Sequence, residues 1–268
     1  MIMATGNKLE VKTPDGKSKP SLPREQPGGL RSSMTMIIQT RLAQRLVDGR
    51  QSTDNEGQII GLFTFGQRLK QIWLSAEAND PYADWYLVQI EEELQQAKQL
   101  IGEKYEWLKG IMSGKEGFNI NLAESNRPIE VELSFQNPYG YIGAYIIHDY
   151  DVLARMVFTA KHIGLLDSDA ARKVMHDAGT GIRRSFGLSV RWKFTGVTRD
   201  DLVEDNLNAQ RAVSEFGECP AGILSEKNRA QASPIIRRKQ AAIVNEALLD
   251  KPVAANESSD ATPLLAFA

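Results

Sequence analysis

The sequence predicts an α+β protein, predominantly α-helical, with a small antiparallel sheet. Three observations predict it. Long stretches place apolar residues at alternating three- and four-residue steps, the period of a helix with one buried face. Two short regions alternate apolar and polar residues with period two, as half-buried strands do. Between them stand Gly, Pro, Asn and Asp at positions that break regular structure. The 268 residues, 42% hydrophobic and 25% charged, are enough for a sizeable core of ordinary globular composition.

Residues 1–31 are rich in Pro, Gly, Ser and Lys, and too poor in apolar residues to fold. Six basic residues stand there against three acidic ones, so a disordered basic leader is expected. Its simplest reading is a solvated arm; a phosphate-brushing arm is the sharper one. From Ser32 to Thr40 the segment SSMTMIIQT alternates, with Met34, Met36 and Ile38 on one face. The other face holds Ser33, Thr35, Ile37, Gln39 and, beyond the segment, Arg41.

A short helix over about Arg41–Val47 follows and stops near Gly49. After a loop rich in Asp, Asn and Gly, a second helix spans about Ile60–Ala78, closed by Asn79-Asp80-Pro81. From Tyr82 to Met112 the apolar stripe Leu87, Ile90, Leu94, Ala97, Ile101, Tyr105 and Leu108 predicts a long helix. Residues 77–106 hold eight acidic side chains against Lys98 and Lys104, a solvated face that would repel DNA.

Phe118, Ile120 and Leu122 alternate with polar residues, and so do Ile129, Val131, Leu133 and Phe135. With the loop residues 124–128 between them, an antiparallel pair is expected. Asn137-Pro138-Tyr139-Gly140 breaks the second strand. A helix from about Asp149 to His162 then stops at Gly164, and Ser168 caps the next, which runs to Phe186 before Gly187. After the extended VRWKF, Thr198 with Asp201 forms a capping box that opens a helix to about Phe216. Ser233-Pro234 predicts a last short helix over 234–249, within an otherwise irregular tail. The expected organisation is a leader (1–31), one α+β domain (32–217) and the tail (218–268).

The motifs of catalysis are missing. His148, His162 and His176 are fourteen residues apart, not the three or four that put two ligands on one helix face. Gly179-Thr180-Gly181 lies inside a helical pattern with no preceding strand, so it does not read as a phosphate loop. The pairs Glu130/Glu132 and Asp200/Asp201 have no flanking acid–base partner, and Cys219 has no histidine near it in sequence. The expectation is a protein that is not an enzyme and uses no cofactor or metal. One cysteine permits no intrachain disulfide and fits a reducing compartment. No run approaches the ~20 apolar residues of a membrane-spanning helix, and no secretory leader precedes Arg31. A cytoplasmic, soluble protein is expected.

Charge segregation is the feature with functional content. The formal net charge is −2, so any nucleic-acid binding must come from a local patch. Between Lys161 and Arg199 eight basic residues face three acidic ones, with Phe186, Trp192 and Phe194 interleaved. Arg172, Lys173, Arg183, Arg184, Arg191 and Lys193 are candidates for contacting DNA phosphates. The alternative is that these arginines pair with the acidic helix at 77–106. Two templates could supply base contacts. Helices 149–162 and 168–186 around Gly164 have a helix-turn-helix outline, which two tightly packed helices explain equally well. Residues 32–47, within 32–78, fit a ribbon-helix-helix part, in which a strand pairs with its dimer mate and reads the major groove. There Thr35, Gln39 and Arg41 would reach base edges; the other reading is a plain strand joining the 118–135 pair.

Several stretches carry a family signature. DPYADWYLVQIEEEL, AESNRPIEVELSFQNPYGYIGAYIIHDYD, TAKHIGLLD, RRSF and GVTRDDL resemble, in order, a family of integrating conjugative element proteins. The resemblance spans roughly residues 30–230. Tyr139-Gly140-Tyr141 stands where that family has Tyr-Ala-Tyr, and Phe186-Gly187 where Phe-Ala is common. The family looks related to AcaB-like transcriptional regulators of conjugative plasmids, whose DNA-binding unit is of the ribbon-helix-helix type. That resemblance implies a homodimer that binds promoter DNA and controls transfer genes. The rival expectation is an adaptor that binds other element-encoded proteins through its acidic helix, without nucleic acid.

Overall fold

The computed structural model describes residues 34–52, 57–114 and 117–237. The basic leader and most of the expected helix over 234–249 lie outside the described residues; Pro234–Arg237 is not helical. The first element is strand β1, Met34–Ile38, and it pairs antiparallel with β2, Ile129–Leu133. The register sets Met34 opposite Leu133, Met36 opposite Val131 and Ile38 opposite Ile129. Met36, Ile38 and Leu133 are buried, so the period-two pattern seats one face of this two-stranded sheet on the core.

The expected pairing of 118–122 with 129–135 is corrected. Residues 118–125 form no ladder, although Ile120 and Leu122 do pack against the core. Side chains take their backbone groups instead. Thr159 Oγ1 accepts from Ala123 N–H at 2.9 Å, Gln39 Oε1 accepts from Ser125 N–H at 2.8 Å, and Arg155 Nε donates to the Ala123 carbonyl at 2.8 Å. Period two reports a half-buried extended chain; it does not report the neighbour.

Helix α1, Arg41–Asp48, starts at Thr40, whose hydroxyl accepts from Ala43 N–H, and ends at Gly49 with φ 71°. A Cβ at Gly49 would lie 2.5 Å from both Gly61 N and the Ile59 carbonyl oxygen, so glycine is required there for two reasons. The close approach and a single bridge between Arg50 and Ile59 bring the two ends of the following loop together at the end of α1. Helix α2 is Leu62–Glu77 and α3 is Pro81–Ser113, the latter capped by Asp80 with proline in its first turn.

Helix α4, Pro138–His162, begins eleven residues earlier than the expected Asp149. Asn137 is its cap, Pro138 its first residue, and Gly140 and Gly143 lie inside it. A Cβ at Gly140 would stand 2.3 Å from the Phe135 side chain, and one at Gly66 of α2 2.5 Å from the same ring. The departure from Tyr-Ala-Tyr therefore makes room for the aromatic ring that follows β2. Helix α5, Ser168–Arg191, is capped by Asp167 rather than Ser168, and Gly187 lies within it rather than ending it. The helix expected over 199–216 is two: α6, Arg199–Glu204, and α7, Leu207–Phe216. Asp205 in the left-handed region (φ 50°) breaks them apart and Asn206 caps the second. The Thr198–Asp201 capping box is present as expected.

Helices α2 to α5 enclose the core. The Phe65 and Phe186 rings stack at 4.2 Å, with Gly143 of α4 against both. Helices α4 and α5 run antiparallel over most of their lengths. Gly143 meets Phe186, Tyr150 Oη donates to the Met175 carbonyl at 3.3 Å, and Phe158 and Lys161 border Ser168 and Arg172. That is a long helical hairpin. It corrects the helix-turn-helix outline, whose two helices cross at roughly 90–120°.

The chain from 217 to 237, expected as the start of an irregular tail, is docked on the N-terminal end of α3. It carries a short α8, Ala221–Leu224, and buries Ile223 and Ala230. Asp84 on α3 is fully buried between two guanidinium groups. Arg199 Nη2 donates to its Oδ2 at 2.6 Å, and Arg229 donates to both of its oxygens at 2.8 and 3.0 Å.

Candidate nucleic-acid interface

Helix α1 is fixed to α4 by one buried carboxylate. Asp151 accepts from Gln39 N–H and Thr40 N–H, each at 2.8 Å, and from the Thr40 hydroxyl at 2.6 Å. Because Thr40 is also the cap of α1, this contact sets where α1 begins and how it lies against α4. Arg41 and Arg45 are thereby presented beside Arg155, Lys161, Arg172 and Arg183 of the α4–α5 hairpin. Three shallow grooves of about 410, 390 and 560 Å³ meet at Leu42 and join these residues into one surface. Seven arginines and lysines line the three grooves, Arg50 being the seventh. Among the described residues the acid lining them is Glu124, and Arg155 holds it at 3.1 Å.

Among the described residues, Arg41, Arg45, Lys161 and Lys173 have no carboxylate within ion-pair distance. Arg172 has only Asp169, one helical turn away at 3.3 Å, with both side chains exposed. Such a pair contributes little and yields to a stronger anion. Arg183 is half-buried, hydrogen-bonded to Thr180 Oγ1 at 2.8 Å and paired with no carboxylate.

Two of the other expected phosphate contacts, Arg184 and Lys193, are engaged within the protein. Arg184 donates to Glu93 Oε2 at 2.6 Å and to Gln96 at 3.3 Å, the pairing with the acidic helix that was the alternative reading. Lys193 donates to Glu215 at 2.5 Å, and that bond holds its ammonium above the usual lysine range. Arg191 is exposed and shares the neighbourhood of Tyr86 with Lys193 and Glu215.

Of the expected base-contacting residues, Gln39 and Arg41 line the first groove together, and Thr35 lies apart from it. Thr35 is exposed, as the alternation requires, but its partner across the ladder is Glu132, and Ile37 beside it faces Glu130. Two carboxylates on the solvent face of the ribbon repel a phosphate backbone. Gln39 lies beyond the strand, and its side-chain oxygen already accepts from Ser125 N–H. That corrects its place on a free polar face. Arg41 is exposed at the start of α1. Arg45 and Arg155 were not singled out in the sequence, and Lys161 was counted in the basic segment without being named as a contact. Arg45 and Lys161 stand alone among neighbours of mixed type, and only the crossing of α1 over α4 and α5 collects them.

No group of three or more metal-ligating side chains occurs among the described residues. The Cys219 thiol is pushed up to about 11 by burial, so its nucleophilic thiolate is scarce at neutral pH. Among the described residues no helix is long and apolar enough to cross a membrane.

The fold is similar to the crystal structure of selenomethionine-containing AcaB from uropathogenic E. coli. The TM-score is 0.52 at 13% identity, covering 75% of this chain and 97% of the other. Comparison with curated proteins gave no match. The family model described as transcriptional regulator AcaB matches residues 26–237. The chain therefore belongs to the AcaB family, a family of transcriptional regulators rather than of enzymes.

Proposed function

We propose that the protein is a DNA-binding regulator that controls the conjugative transfer genes of an integrating conjugative element, acting as a homodimer in the cytoplasm. The observation that carries the reading is the unneutralised basic surface where α1 lies across the α4–α5 hairpin. Arg41, Arg45, Lys161 and Arg172 track the phosphate backbone there and release its counterions on binding. Family membership supports the regulatory role, and the five signature stretches support the conjugative context. The acidic solvent face of the ribbon turns the contact toward this helical surface, with Arg41 at its margin and Thr35 outside it. Among the described residues, the edge of β1 that does not face β2 has no partner strand, which leaves it free for a second copy.

Fluorescence anisotropy with duplex DNA from upstream of the element's own transfer genes tests the reading. Binding at low salt that weakens steeply as salt rises is expected. Absence of any binding at low salt would end it. Copurification of another element-encoded protein on the acidic helix, with no affinity for DNA, would put the adaptor reading in its place.

A further inference from the structure

Of the three grooves that meet at Leu42, the largest differs from the others in shape and lining. It is about 560 Å³ and is walled by Leu42, Arg45, Leu46, Gly49, Ile59 and Arg183, with Tyr150 and Arg50 beside them. That volume falls in the range of small-molecule sites. Among the described residues no carboxylate lines it. One wall is the end of α1 with Gly49, Arg50 and Ile59 at the two ends of the loop that follows it, and the facing wall carries Arg183 of α5. Arg50 belongs to the loop wall, where its guanidinium donates to the Gly57 carbonyl at 3.1 Å.

Arg183 is recessed rather than protruding. Gly179, one turn before it, has no side chain, and a Cβ there would lie 3.0 Å from Arg183 Nη1 and 3.2 Å from Tyr150 Oη. The missing methyl gives the guanidinium its berth, Thr180 Oγ1 holds it, and among the described residues no acid pairs with it. Arg45 comes to the same groove from α1 with no acidic partner among the described residues. Two guanidinium groups on separate walls, with aliphatic side chains between them, match a compact apolar molecule carrying a double negative charge. A duplex backbone offers singly charged diesters spaced along a convex rod and does not fit a recess of this size.

We propose that this groove is a binding site for a small phosphate monoester with an apolar body, its phosphate held between Arg45 and Arg183. The assignment does not depend on the DNA reading. Bound there, the anion ties α1 to α5 and lowers the positive potential of the adjoining surface, so it opposes binding of any other polyanion.

Titration calorimetry on the full chain, at constant ionic strength set with chloride, tests the site with phenyl phosphate, inorganic phosphate and phenol as probes. Phenyl phosphate should saturate one site per chain about tenfold tighter than inorganic phosphate, and phenol should give no heat. Arg183→Gln and Arg45→Gln should each weaken phenyl phosphate by about tenfold, while Arg68→Gln, at an exposed position on α2, should not. Arg45 is exposed, so its variant keeps the test meaningful if Arg183→Gln melts early. No saturable binding of phenyl phosphate, or binding indifferent to both substitutions, overturns the proposal. A short duplex titrated in parallel separates the two accounts. Duplex binding that survives Arg183→Gln supports a distinct site, and duplex binding that falls as far as phenyl phosphate does makes the groove part of the DNA track and overturns the proposal. Phenyl phosphate binding without duplex binding sinks the DNA reading alone.

Discussion

The cations at the two ends of α5 began as one sequence feature and ended in opposite electrostatic states. Toward the N-terminal half of α5, Lys161 and Arg172 join Arg41 and Arg45 of α1 on an open surface with little acid near it. Toward and beyond the C-terminal end, Arg184 is held by Glu93, Lys193 by Glu215, and Arg199 lies buried on Asp84. The antiparallel passage of α3 along α5 makes the difference. It lays Glu93 beside Arg184, and at its own N-terminal end it sinks Asp84 under the α6–α8 segment. Basic residues close in sequence are thus divided between building the protein and facing outward. Local charge density alone does not say which are available to a partner.

The sharpest way to break the comparison is at the buried end. Removing Arg199, as in Arg199→Ala, leaves Asp84 with only Arg229 and exposes the Asn79 and Ile223 oxygens that Arg199 also serves. Loss of one partner of a buried pair costs about 3–5 kcal/mol, to be read from urea denaturation. An effect below about 1 kcal/mol would mean that the pair is solvated, as surface pairs are.

A second test uses Asp80, the cap of α3, which lies beside Asp84. Burial raises its carboxyl from 3.8 to about 7, against the pull of the Ala83 and Tyr82 N–H groups. One carboxyl oxygen accepts from both N–H groups while the other has no partner. A carboxyl raised in the folded state contributes stability that is fully present below its unfolded value, near 4, and is lost as pH rises through about 7. Asp80→Asn keeps the cap and removes the titration. It should gain stability relative to the parent between pH 5 and pH 8, measured by urea melts at both; equal differences at the two pH values would contradict it.

At the open end the expected effects are on binding, not on stability. Lys161→Ala and Arg172→Ala should leave the melting temperature unchanged, and each should lower the slope of log affinity against log salt by about one if it neutralises a phosphate. The smallest effect belongs to Arg184→Ala. Its exposed pair with Glu93 is worth about 1 kcal/mol or less, and DNA affinity should hold, because that charge is already matched.

Much of the secondary structure was legible in the sequence, because periodicity and caps are local. The long α3, the ends of α1 and α2, and the Thr198–Asp201 capping box all follow from residues a few positions apart. What failed to show depends on distant neighbours. The first turns of α4 contain Gly140 and Gly143, which look unhelical until Phe135, Phe65 and Phe186 are seen to occupy the missing side-chain space. The strand pairing went to β1 because side chains of α1's leading turn and of α4 took the backbone of 118–125. Glu93 and Arg184 are 91 positions apart, so the charge segregation was visible and its neutralisation was not. Gln39 illustrates the same limit: alternation gave it a face, and Ser125, 86 positions away, gave it a partner.

The most direct measurement compares two double charge reversals by salt-dependent anisotropy on duplex DNA. Lys161→Glu with Arg172→Glu alters the open surface, and Arg184→Glu with Lys193→Glu alters the matched one. The account expects the first to abolish binding at moderate salt and the second to reduce it only through its uniform change in net charge. If the second pair abolishes binding while the first leaves it intact, the open surface at α1, α4 and α5 is not where DNA is held.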